Sequence, residues 1–81
     1  MLELIEKLKK YADVKEVSDS TFNGDTLVIF DTDNVKCDFK SLYVSHFEFK
    51  IKKDLIDLFS IEPLDDKKIR VYLFLKKEGN E

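Results

Sequence analysis

Leu27, Val28, Ile29 and Phe30 form an unbroken apolar run between two turn-forming stretches, Asn23-Gly24-Asp25 and Asp31-Thr32-Asp33-Asn34. Four residues are too few for a helix, and a short apolar run between turn residues reads as a strand that is hydrophobic on both faces. Such a strand belongs inside a sheet, and both of its sides need cover. An 81-residue chain makes one domain, residues 1–81, with a thin core.

The neighbouring segments can be read around this strand. Leu2, Ile5, Leu8 and Ala12, with Leu4 and Tyr11 beside them, follow the spacing of a helical face, and Glu3/Lys7 and Glu6/Lys10 suit i,i+4 pairs on the other. The pattern predicts an amphipathic helix ending near Ala12. Residues 14–22 read as a weaker strand, and Asn23-Gly24 tolerates the positive φ of a tight hairpin. Val35, Cys37 and Phe39 alternate with Lys36, Asp38 and Lys40, as in a half-buried strand. Over residues 43–52, Tyr43, Ser45, Phe47, Phe49 and Ile51 face one way, and Val44, His46, Glu48, Lys50 and Lys52 the other. Asp54 suits the cap of a short helix through Ile61, with Leu55, Leu58 and Phe59 on its apolar side. Residues 63–67 read as a loop. Ile69, Val71, Leu73 and Leu75 then alternate with Arg70, Tyr72 and Phe74 in a last strand. The expected fold is α+β: an N-terminal helix packed on a four- to five-stranded, mostly antiparallel sheet, with a second short helix before the last strand.

Charge narrows the partners. The net charge of −3 is unevenly spread, with seven acids from Asp13 to Asp38 against Lys15 and Lys36. That acidic half repels phosphate backbones and favours a basic protein surface, so direct nucleic-acid binding is not expected. Phe47, Phe49, Lys50, Lys52 and Lys53 do interleave aromatic and basic residues, but strand alternation puts the Phe and Lys side chains on opposite faces. A lone cysteine, Cys37, cannot form an internal disulfide and fits a reducing cytoplasm. Acids stand where a signal peptide has bases, and the uncharged run over residues 71–75 is too short to span a bilayer, so no membrane is expected. Basic charge is Lys except for Arg70, and Gly, Ala, Arg and Pro together number five. That bias suits an AT-rich genome, such as a low-GC bacterium, one of its phages or some archaea, and a chain encoded by a phage or mobile element fits it.

Several stretches look like chemistry. Residues 27–34, LVIFDTDN, resemble the first motif of haloacid-dehalogenase-type phosphatases, and Asp65-Asp66 is similar to their later metal-holding pair. That resemblance implies Asp31 and Asp33 as metal-assisted phosphoryl-transfer residues on a parallel, doubly wound sheet, which a chain this short has no room to build. A calcium loop starting at Asp31 fails, because Lys36 stands where Gly is needed and Leu42 where Glu is needed. Cys37 points into the core on this reading and His46 to the opposite face, so they form no catalytic pair. No metal or cofactor site is expected. Residues 47–75 resemble, in hydrophobic rhythm, part of the flagellar assembly factor FliW, a larger family of protein-binding regulators. The likeness covers about a third of the chain.

The functional expectation follows from surplus apolar surface. With Leu27, Ile29, Ile69, Val71, Leu73 and Leu75 under the helix, Val28, Phe30, Tyr72 and Phe74 point away from it. Either residues 54–61 fold back over them or a partner does. The expected partner-binding residues are Val44, His46, Tyr72 and Phe74, with Asp25, Asp31 and Asp33 steering toward basic surface. The expected function is a non-enzymatic protein-interaction module, a cytoplasmic regulator, adaptor or inhibitor that occludes a partner surface or pairs as a homodimer. Alternatives are an acidic nucleic-acid mimic and the phosphoryl-transfer enzyme.

Overall fold

The computed structural model describes residues 2–19 and 24–76. Helix α1 (Leu2–Leu8) is followed by strands β1 (Asp13–Ser18), β2 (Thr26–Thr32), β3 (Val35–Cys37), β4 (Ser41–Val44) and β5 (Phe49–Lys52). A single 3-10 turn (Lys53–Leu55) leads into β6 (Ile56–Pro63) and then β7 (Ile69–Leu75). The strands form two antiparallel sheets, one in the order β1-β2-β7-β6 and one in the order β3-β4-β5.

This architecture corrects the α+β expectation. The chain is mostly sheet with one short helix, and it has no second helix among the described residues. The helix expected from Asp54 through Ile61 is absent: residues 56–63 instead pair along β7 from Ile56–Leu75 to Pro63–Ile69. Tertiary pairing overrides the local pattern here. Without β6, the apolar strand β7 would expose a row of unpaired backbone groups, and Ile56, Phe59 and Ile61 are as well suited to a strand as to a helix. Pro63 sits at the end of this edge strand, where its missing N–H does no harm.

Helix α1 buries Ile5 and Leu8 and packs Leu4 against the core, the face expected from the sequence. It is shorter than predicted. After Leu8 the chain tightens, the amides of Lys10 and Tyr11 bonding the carbonyls of Lys7 and Leu8, before β1 begins. On its polar side Glu6 meets Lys9 at 3.5 Å rather than Lys10. The Tyr11 ring stacks on Phe49 at 5.5 Å, tying the end of the helix to the second sheet.

β2 and β7 pair over seven residues, so their opposed side chains fall in shared rows. Val28 with Leu73, and Phe30 with Val71, are fully buried on the inner face. Leu42, Val44, Phe49 and Ile51 face them from the smaller sheet, and all belong to one hydrophobic cluster with Ile5 and Leu8. The inner and outer assignments of β2 are therefore the reverse of those expected: Val28 and Phe30 lie inside, while Leu27 and Ile29 are the outer pair. Both edge strands carry a break in register, at Lys15 in β1 and at Asp57 in β6. Bulges at charged residues discourage strand-to-strand association along both edges.

Residues 43–52 are not one strand but a hairpin. Its turn holds Ser45, His46 and Phe47 at φ +57°, +57° and +72°. The Glu48 amide closes it onto the Ser45 carbonyl, and the Ser45 amide bonds the Asn34 carbonyl. The stretch contains no Gly, Asn or Asp, so the turn residues that usually announce a hairpin are missing. Asn23, half of the first expected turn, lies outside the described residues, whereas Gly24 has the positive φ expected of it, +83°.

Three successive left-handed residues carrying side chains store backbone strain, on the order of 1–2 kcal/mol each. His46→Gly is expected to raise stability by about 1 kcal/mol, and His46→Val to lower it, measured by urea unfolding. Equal stabilities for the two variants would contradict the left-handed turn.

Candidate functional site

The face of the larger sheet that points away from the core is built in rows. Leu27, Phe74 and Leu58 make the first, and Ile29, Tyr72 and Ser60 the second. The third is charged: Asp31, Arg70 and Glu62. Leu27, Ile29, Tyr72 and Phe74 are half-buried on the two central strands, and Leu58 is 61% exposed at the edge. No described helix or strand lies across this face. The arrangement is an apolar patch with a polar border.

That border is rigidly paired. The Arg70 guanidinium donates Nε–H to Asp31 Oδ1 at 2.8 Å and Nη2–H to Asp31 Oδ2 at 3.1 Å. This bidentate bond holds the Asp31 carboxyl below the ordinary range and raises Arg70 further. The Tyr72 hydroxyl donates to Glu62 Oε1 at 2.8 Å, which raises the tyrosine's pKa. Lys15 and Asp13 meet at 2.8 Å alongside.

The seven expected contact residues do not share one surface. Tyr72 and Phe74 lie together on the outer face. Val44 is fully buried in the core, because the hairpin turns its row inward. His46 is exposed in the left-handed turn, with Nε2 at 3.4 Å from Asp33. Asp31 and Asp33 line an open cleft with Lys9, Lys10 and Lys68, so the second acidic turn is not a bare negative surface. Asp25 is buried, and its carboxyl is pushed up first by a hydrogen bond with Asp57 and then by burial.

Cys37 lies on the inward row with Leu42, as expected, but it is not buried in the core. It is a free, exposed thiol at the edge of the smaller sheet, opposite Leu42 and beyond the core's cover. The turn bearing His46 follows the far end of β4. Asp65 closes its own loop by accepting the amides of Lys67 and Lys68. Among the described residues no group of three or more His, Cys, Asp or Glu stands close enough to hold a metal ion. No helix among them is long and apolar enough to cross a membrane.

The outer face of the smaller sheet was hidden from sequence reasoning. Lys36, Tyr43 and Lys50 lie side by side across β3, β4 and β5. The turn swings Phe47 onto Tyr43, with ring centroids 4.9 Å apart, and Lys36 Nζ stands 5.4 Å from the Phe47 ring. Regular alternation would have sent Phe47 inward with Phe49 and away from the lysines. That premise for separating aromatic from basic residues is therefore corrected. Comparison of the chain with known protein families, curated proteins and solved structures finds no significant match.

The two buried acids should respond to pH with opposite sign. Asp31 is depressed by Arg70, so its contribution is fully present above the ordinary carboxylate value of ~4 and is lost as pH falls through its lower folded value. Asp25 is raised, so its ionisation opposes folding at neutral pH, and that cost fades as pH falls through its raised value. In urea unfolding at pH 7, Asp31→Asn should be less stable than the parent and Asp25→Asn more stable. Both differences should shrink toward pH ~3, below the ordinary carboxylate range. A pH-independent difference would contradict the assignment.

Proposed function

We propose that this chain is a small non-enzymatic interaction module that acts by covering a surface of another protein. The observation that carries the reading is the apolar patch formed by Leu27, Phe74 and Leu58 with Ile29 and Tyr72. Central strands of a two-sided sheet normally have both faces covered, and an apolar patch with a polar border is the usual anatomy of a docking surface. Aromatics such as Tyr72 and Phe74 contribute most affinity at such patches. The bulged edges at Lys15 and Asp57 favour docking through the face over adding a strand at the side.

Occlusion needs no catalytic group. A module of this kind acts as a regulator, adaptor or inhibitor by occupying the surface its partner uses elsewhere, or by pairing with a second copy. The exposed thiol of Cys37 fits a reducing cytoplasm, where it stays unoxidised. Because Asp31 is held by Arg70 and Asp33 shares a cleft with Lys9, Lys10 and Lys68, long-range steering is secondary to apolar contact. Affinity should therefore depend little on added salt.

Leu58→Glu tests this directly, because the side chain is exposed and lies outside the core. The wild-type chain is expected to retain a protein partner in affinity capture, or to dimerise by light scattering, and Leu58→Glu to lose that association while keeping its circular dichroism and urea midpoint. Identical capture and mass for both proteins would overturn the proposal.

A further inference from the structure

We propose that the outer face of the β3-β4-β5 sheet binds single-stranded nucleic acid, with Phe47, Tyr43 and Phe39 stacking on bases and Lys36, Lys40, Lys50 and Lys52 contacting phosphates. The site is separate from the patch on the larger sheet, since each sheet turns a different face away from the shared core. Phe39 in the β3-β4 turn is 85% exposed and Phe47 in the β4-β5 turn 57% exposed. Neither ring contributes to the core. Between the two turns runs β4, whose Tyr43 sits outward between Lys36 and Lys50.

The lysines are available. None of Lys36, Lys40, Lys50 or Lys52 makes an ion pair with a carboxylate among the described residues. Lys36 and Lys40 instead stand over the Phe47 and Phe39 rings, at 5.4 and 5.7 Å. A cation beside an exposed ring is the pairing a nucleotide needs, with the ring for the base and the ammonium for its phosphate. From Val35 to Lys53 the chain holds five lysines against Asp38 and Glu48. Asp38 is engaged, accepting the amides of Lys40 and Ser41 and the Tyr43 hydroxyl, which fixes the ring in place. Stacking on a flat sheet with phosphates alongside suits an unpaired strand, whose bases are free to splay, and not a duplex.

The test is fluorescence anisotropy with labelled oligo-dT and oligo-U of about 15 nucleotides, at about 50 mM salt. Saturable binding is expected. Phe39→Ala and Phe47→Ala should each weaken it roughly 5- to 100-fold. Lys36→Ala with Lys50→Ala should weaken it and flatten the log–log salt slope by about 0.7 for each phosphate that is no longer neutralised. Leu58→Glu should leave it unchanged, which keeps this site distinguishable from the docking face. The proposal is overturned by any of several results: no saturable binding, unchanged affinity in the folded Phe variants, or equal affinity for a duplex of the same length. Binding to phosphatidylserine vesicles without binding to either oligonucleotide would assign the face to a membrane surface instead.

Discussion

Everything else in the molecule is arranged around the pairing of β2 with β7. Both strands are apolar on both sides, and their seven-residue register puts Val28 opposite Leu73 and Phe30 opposite Val71. A slip of one residue would bring Leu27 and Ile29 inward and turn Phe30 outward, so the register decides which side chains form the core. The inner rows recruit α1 and the smaller sheet as cover. The outer rows are left with Leu27, Ile29, Tyr72 and Phe74 because the chain has no further described element to lay across them. The structural centre and the candidate docking face are thus two sides of one strand pair.

What could be read in the sequence tracks how local the determining interaction is. The helix around Ile5 and Leu8, the strand over residues 27–30 and the last strand were legible because periodicity and neighbouring turn residues specify them within a few positions. That β2 is apolar on both faces was also legible, although which pair of its side chains would lie in the core was not. Four consecutive apolar residues contain no mark of which pair faces in. That is settled by partners far away in sequence, such as Leu73 for Val28. The strand at Ile56–Pro63 was misread for the same reason, since its spacing fits a helix until β7 offers an unpaired edge. The hairpin at Ser45, His46 and Phe47 was misread for lack of any turn-favouring residue, and with it went the true neighbours of Phe47.

The same hairpin explains why the candidate basic face has no clear sequence signature. A turn that inverts three successive φ angles changes the side of the sheet on which every later residue of the hairpin falls, and it lifts Phe47 out of the alternation altogether. Val44 lies in the core and Tyr43 faces out, so two residues expected on opposite faces exchange places. Neither reassignment follows from hydropathy alone.

Net charge misleads in a related way. At physiological salt an exposed charge is felt over about 8 Å, whereas the molecule is 39 Å along its longest axis. A ligand at the smaller sheet therefore meets the lysines around Tyr43 and is screened from distant acids. On the larger sheet, Asp31 and Asp13 are already compensated by Arg70 and Lys15. The total of −3 describes neither surface. An acidic chain can carry a locally basic face beside an apolar one, and recognition depends on which of those faces the partner touches.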